Sequence, residues 1–445
     1  HGHGSSPGAF NIMFRKPWAK YLGSVSMLAV MFISFYYLYL ESVMLGYVYY
    51  SITGLLPEMA ANGQSGDFFG KYLSFEFKIF NIPAAAIFFV ITLAFNISIL
   101  AKGVSGGIEK IAKILMPILL FLGVILLIRV LTLPGMEQGL AFMWNPDFNA
   151  LIQPKTWLAA AGQIFFTLSI GMGAIINYAS YVKRDEDIVL SSLTANATNE
   201  FAEVILGGMI IIPATAAILG TGALTSVSQG GTFGLGFITM PAILAQLPLA
   251  GLLSVIWFFL LFFAGITSTL SMYQPLVSFC NEELKWNNKT TLSIIGIMAI
   301  GMGTYVALDA SLNTLDEIDF WGGNFFLLLF GTIEAVLFAT HIDSKKGWLE
   351  LHKGATIKIT PIYCFVLKYI TPTVLILILG AWIVTEGPAR FMMTYYDPAV
   401  RPGIITTRII LVAIVIGFNL LIAYAWKKNN HNEKLKIVLE DSIHD

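Results

Sequence analysis

Charge is what this sequence has least of: Asp, Glu, Lys and Arg make up 12% of its 445 residues, against about 25% in soluble domains. The 26 basic and 27 acidic residues leave a net charge of −1, so the chain has no basic footprint for nucleic acid and no acidic tail. Cysteine is nearly absent. Cys280 and Cys364 border loops expected on the cytoplasmic side, where thiols stay reduced, and they read as packing residues rather than a disulfide. Histidine is scarce too, and there is no H-E-x-x-H or G-x-S-x-G constellation and no membrane-embedded His or Cys pair to point to an enzyme. The start lacks the charged region and apolar core of a signal peptide. "HGHGSSPGAF" opens on His1 without an initiator Met; His1 and His3, on a Gly-rich terminus, bind metal weakly without further ligands. Residues 1–20 are expected to form a cytoplasmic loop, entered partway along.

What the chain does have is apolar sequence, 56% of its residues, with a mean hydropathy of +0.75. That composition is an integral membrane protein's. A helix crosses the hydrocarbon core with about 20 mostly apolar residues. Ten such segments lie near 21–50, 83–101, 111–132, 157–182, 198–220, 250–279, 290–308, 320–341, 369–386 and 406–426. An even number puts both ends in one compartment. With the ends and alternate loops on one side, that side holds 19 of the 26 Lys and Arg, while the long loop 221–249 opposite has no charge. The positive-inside rule then makes both termini cytoplasmic, with 427–445 as a tail.

Several spans carry polar groups at their centres. "IFFTLSIGMGAII" (164–176) holds Thr167, Ser169, Gly171 and Gly173, and each glycine weakens a helix by about 1 kcal/mol relative to Ala. A break at that depth is tolerated only where protein or a cavity covers it. Freed carbonyls and hydroxyls there suit a cation or a ligand ammonium, although small residues also serve close helix packing. "FFAGITSTLSMYQP" (262–275) gathers Thr267, Ser268, Thr269 and Ser271, whose oxygens suit a hard cation such as Na⁺. "ATNEFAEVILGG" (197–208) brings Asn199, Glu200 and Glu203 into an apolar segment, the two acids on one helical face. Intramembrane carboxylates are functional candidates by default. "FYYLYLES" packs Tyr36, Tyr37 and Tyr39 together with Glu41 one turn after Tyr37.

Together with "GIEKIAKILMP", "DEIDFWGG", "KYITP" and the opening "HGHGSSPGAF", these stretches resemble the neurotransmitter:sodium symporter family, most closely its bacterial, leucine transporter-like branch. The resemblance implies an all-α membrane protein with that branch's inverted-repeat fold, a single transmembrane domain over 1–445. The ten spans would be helices three to twelve of twelve, the first two being absent. It implies a substrate pocket of Ile33, Tyr37, Phe166, Thr167, Ser169, Met172, Ser268 and Met272, with the Tyr37 hydroxyl on the substrate carboxylate. Two sodium ions are implied, one at Thr167 and Asn199, the other at the Ala264 carbonyl with Thr267 and Ser268. Glu203 matches the carboxylate that takes the role of chloride in animal relatives, so no chloride requirement is expected. Phe166 and Asp319 would belong to an outer gate, Tyr181 and Glu282 to an inner one. The implied activity is sodium-coupled symport, by alternating access, of a hydrophobic or aromatic L-amino acid across a prokaryotic plasma membrane. Its partners would be that amino acid and the lipid bilayer. The rival reading is a ten-helix channel or a non-transporting scaffold.

Overall fold

A computed structural model describes residues 4–14, 16–183, 185–224, 233–341 and 344–429. Leaving aside shorter connecting helices, its helices in chain order are α1 (Ser6–Phe14), α2 (Ala19–Ile52), α3 (Ala84–Leu100), α4 (Val104–Leu131), α5 (Pro154–Thr167), α6 (Ala174–Ala179), α7 (Ile188–Leu219), α8 (Ala250–Glu282), α9 (Asn288–Ala307), α10 (Asn313–Thr340), α11 (Ile362–Thr385) and α12 (Arg401–Lys428). Eight of these, α2, α4 and α7 to α12, are long and apolar enough to cross a membrane unbroken. Of the other two expected spans, α3 is a 17-residue apolar helix and α5 with α6 is a helix divided in the middle.

The centre of the molecule is α2. A helix apolar on every face is a buried one, and α8, α3, α9, α10 and α12 all pack on it. By contrast α4 and α11 turn Phe121, Ile128, Leu377 and Val384 outward, as lipid-facing helices do. A stretch of wider π-turn opens α4 (Val104–Ile108), and others interrupt α7 (Phe201–Gly208), α10 (Phe320–Phe326) and α11 (Val366–Ile370). Such turns shift the phase of the residues after them, and they recur at functional sites.

Two expectations change, on the opening loop and on where spans begin. The loop expected over 1–20 contains helix α1, because the Ser5 hydroxyl takes the Gly8 N–H at 3.2 Å and Phe10 packs on Phe330 of α10; Gly4 and Ser5 are buried as well. His1 and His3 lie outside the described residues, as does the tail beyond Asn429. The all-α expectation holds, with one small hairpin added, Lys78–Ile79 (β1) paired antiparallel with Ile82–Pro83 (β2). Phe80 and Asn81 make the turn at φ 50° and 64°, a conformation Asn tolerates better than most residues. Several spans also start earlier than their apolar runs: α7 begins at Ile188, where the Asp187 carboxylate caps it by taking the Leu190 N–H at 2.8 Å.

Candidate functional site

The site begins with a helix that stops. After Thr167 the backbone turns left-handed at Ser169 (φ 54°), Gly171 (79°) and Gly173 (70°) before α6 resumes. A non-glycine residue there costs about 1–2 kcal/mol, so Ser169 is a strained position. The two glycines are needed for space as well: a Cβ on Gly171 would sit 2.7 Å from the Leu327 carbonyl oxygen, and one on Gly173 2.7 Å from Ser6 Oγ. The break and close packing are thus one feature rather than alternatives. The amides of Leu168, Ser169 and Ile170 fold back onto Ile164, Phe166 and Phe165 at 2.9–3.1 Å. Among the described residues, the carbonyls of 168–172 receive no backbone N–H, which leaves a row of acceptors at mid-helix.

Polar side chains gather around this break. Asn199 Nδ2 of α7 donates to Thr167 Oγ1 at 2.9 Å, and the Glu203 carboxylate accepts from both the Thr167 hydroxyl and the Gln163 amide. The π-turn at Phe201–Gly208 contains Glu203. Glu200, expected on the same face, is exposed and away from the cavity.

On α8 the four hydroxyls divide. Thr267, Ser268 and Ser271 line the cavity, while Thr269 is fully buried against α2, as the 100° step between successive helical residues allows. Thr267 Oγ1 donates to the Ala264 carbonyl at 3.0 Å, and the Tyr178 hydroxyl of α6 donates to Ser271 at 3.0 Å. The tyrosines of α2 also separate. Tyr37 turns to the cavity and faces Ser268, Tyr36 donates to Asp319, and Tyr39 is buried elsewhere.

These groups line one cavity of about 1120 Å³ between α2, α4, α5, α6, α7 and α8. It collects Tyr37, Phe166, Thr167, Ser169, Met172, Ser268 and Met272, together with Asn199, Ala264, Thr267, Glu203 and Tyr181. Ile33 is not brought to it. One turn before Tyr37, it is fully buried, and its amide lies beside Gly322 of α10. Asp319 stands behind the wall, where a Cβ on Gly323 would touch Asp319 Oδ1 at 2.7 Å and Phe166 Cε2 at 3.7 Å. Glu282 is also outside the cavity and accepts the amides of Gly4 and Ser5 at 3.1 and 3.2 Å. Sequence reading missed Gln163 and Tyr178. Both were legible as helical neighbours, Gln163 four residues before Thr167 and Tyr178 four after Ala174.

The chain's relatives agree with this architecture. The model of the sodium:neurotransmitter symporter family matches residues 60–428. A sodium-dependent transporter of Methanocaldococcus jannaschii is 30% identical over 67% of this chain and 61% of its own length; one of Haemophilus influenzae is 27% identical over 82% and 79%. The sodium-dependent nutrient amino acid transporter 1 of Drosophila melanogaster is 28% identical over 62% of the chain and 43% of its own. The chain therefore spans less than two thirds of the archaeal and fly relatives. The crystal structure of MhsT in complex with L-phenylalanine superposes with a TM-score of 0.73 at 29% identity, covering 84% of each chain. On fold, cavity and relatives together, the chain belongs to the sodium:neurotransmitter symporter family.

Proposed function

We propose that the protein containing this chain is a sodium-coupled symporter of a hydrophobic or aromatic L-amino acid, in a plasma membrane with both ends of the chain cytoplasmic. The observation that carries the reading is the convergence on one cavity of a helix break, two sets of neutral oxygen ligands and an apolar wall. Each feature matches one part of the cargo. The carbonyls of 168–172 suit an ammonium, the Tyr37 hydroxyl suits a carboxylate, and Phe166, Met172 and Met272 suit an apolar side chain. Met adapts to different shapes. L-Phenylalanine bound to MhsT fits that chemistry.

Sodium takes oxygen ligands. Thr167 and Asn199 supply one set; the Ala264 carbonyl with the Thr267 and Ser268 hydroxyls supplies the other. Turning the Thr267 hydroxyl hydrogen away from Ala264 makes two acceptors 3.0 Å apart. Glu203 provides a fixed negative charge beside the first set, so transport runs without chloride. Phe166 with Asp319 serves the outer gate and Tyr181 with Glu282 the inner one. Inward sodium supplies about 2.3 kcal/mol per charge per 100 mV of membrane potential, and the two repeats rock around the fixed site.

The test is uptake of radiolabelled L-phenylalanine and L-leucine into proteoliposomes holding the full reading frame. Saturable uptake that disappears when choline replaces sodium, and persists when gluconate replaces chloride, is expected. A sodium current with no saturable uptake of any of the twenty amino acids would overturn the reading in favour of a channel.

A further inference from the structure

One buried acid has no part in the site described so far. Glu41 of α2 is 0% exposed and lies between α3 and α8, away from the cavity. Asn96 Nδ2 donates to its Oε1 at 2.8 Å, and its Oε2 lies 2.5 Å from Thr269 Oγ1. Gly265 admits this approach, since a Cβ there would sit 3.2 Å from Glu41 Cγ and 3.5 Å from Met44 Sδ. The titratable groups facing it are Tyr37 on its own helix and Tyr273 on α8. α3 contributes Asn96 and Thr92, which do not titrate, and among the described residues no Lys, Arg or His pairs with it.

Its hydrogens and the missing counter-charge both bear on the form of the group. The Thr269 hydroxyl has one hydrogen and two neighbouring acceptors, Glu41 Oε2 and the Gly265 carbonyl at 3.0 Å. With Glu41 ionised, the single Thr269 hydrogen is shared between the two, and an uncompensated charge is buried at membrane depth. With the proton on Oε2 each contact of the carboxyl group has its own hydrogen. Glu41 donates to Thr269, Thr269 donates to Gly265, and Asn96 donates to Glu41 Oε1 and to the Thr92 carbonyl at 3.0 Å.

We propose that Glu41 is a proton site, held as the neutral carboxylic acid, and that it is a positioning residue for the hydroxyl face of α8. By holding Thr269 against α2, it fixes the rotation of α8 that turns Thr267, Ser268 and Ser271 toward the cavity. The positioning role rests on the symporter reading; the protonation does not.

Glu41→Gln keeps the neutral shape and both bonds, whereas Glu41→Leu keeps neither. The direct measurement is the infrared difference between the wild-type full-length protein and Glu41→Gln in lipid. A protonated-acid C=O band at pH 7, missing from the variant, is expected; a carboxylate band in its place would overturn the proposal whether or not the protein transports. In uptake of L-phenylalanine and L-leucine, Glu41→Gln should stay within about twofold of wild type because its hydrogen bonds persist, and Glu41→Leu should fall by about tenfold or more because buried partners are left unpaired. A Glu41→Gln protein that folds but transports no better than Glu41→Leu would show that the negative charge is required, which also overturns it.

Discussion

Gly173 combines two constraints that usually occur apart, a backbone at φ 70° and a space already filled by Ser6 Oγ and Ser26 Oγ, at 2.7 and 3.0 Å from where a Cβ would be. Gly403, in the first turn of α12, has neither. Gly173→Ala is therefore expected to destabilise the protein by about 1–2 kcal/mol from the left-handed backbone alone, with crowding added. Gly403→Ala should stabilise it by about 0.5–1 kcal/mol through helix propensity. Thermal midpoints in detergent measure both, and equal midpoints for the two variants would mean that the break is not strained as described. The glycines, the hydroxyl-rich stretch of α8 and the acids of α7 were legible as residue types. Their directions were not. Whether Thr269 faces the cavity or α2 depends on rotation about the helix axis, and which of Ile33 and Tyr37, one turn apart on one face, reaches the cavity depends on position along α2; both are set by packing partners far away in the chain. The π-turn in α7 adds a further shift that no regular period reveals, and it helps to place Glu203 at the cavity without Glu200.

At the level of elements, one buried cluster joins the start of α10, the segment 386–400 and α12. Glu317 is 0% exposed and takes bonds from Arg390 Nη2 (3.0 Å), Arg408 Nε (2.5 Å), Trp321 Nε1 (2.7 Å) and the Tyr396 hydroxyl (2.8 Å). Arg390 also lies 4.0 Å over the Phe320 ring, and Arg408 donates to the carbonyls of Arg390 and Phe391. Glu317→Leu would leave two guanidinium groups facing each other without their anion, a loss of about 3–5 kcal/mol for a broken buried pair. Glu350→Gln removes the partner of Lys353 in a solvent-exposed pair at 3.4 Å and should change stability by about 0–1 kcal/mol. Denaturation in mixed detergent micelles compares them; a Glu317→Leu loss no larger than that of Glu350→Gln would show that the cluster does not hold these elements together. The existence of the helices followed from hydropathy, because spans must be apolar. Their beginnings did not: α4 starts at Val104, α7 at Ile188 and α11 at Ile362, before their apolar runs near 111, 198 and 369. Hydropathy responds to lipid contact, while a helix is started by caps such as Asp187 and by its own backbone bonds.

For the molecule as a whole, the proposed symport would make sodium and substrate each other's condition. Thr167 is the common point: it ends α5 at the break whose carbonyls suit an ammonium, and it is bonded to Asn199 and Glu203 of α7. Thr267 and Ser268 line the same cavity from α8, with Ser268 facing Tyr37. A cation that draws these helices together raises the affinity for the amino acid, and linkage requires the amino acid to raise the affinity for the cation by the same factor, commonly about 5- to 150-fold. Titrating L-phenylalanine with and without sodium, and sodium with and without L-phenylalanine, on the purified full-length protein should give two equal ratios. The double variant Thr267→Ala, Ser268→Ala removes two hydroxyl ligands on α8 and leaves the α5–α7 set intact, so sodium dependence of binding should weaken and sodium-driven uptake should be lost. Uptake and linkage unchanged in that variant would mean that the α8 hydroxyls only pack. In that event Thr267 would be bonded to Ala264 permanently, as an ordinary buried threonine bonds to its own turn, and the coupling ion would have to be held by the α5–α7 oxygens alone.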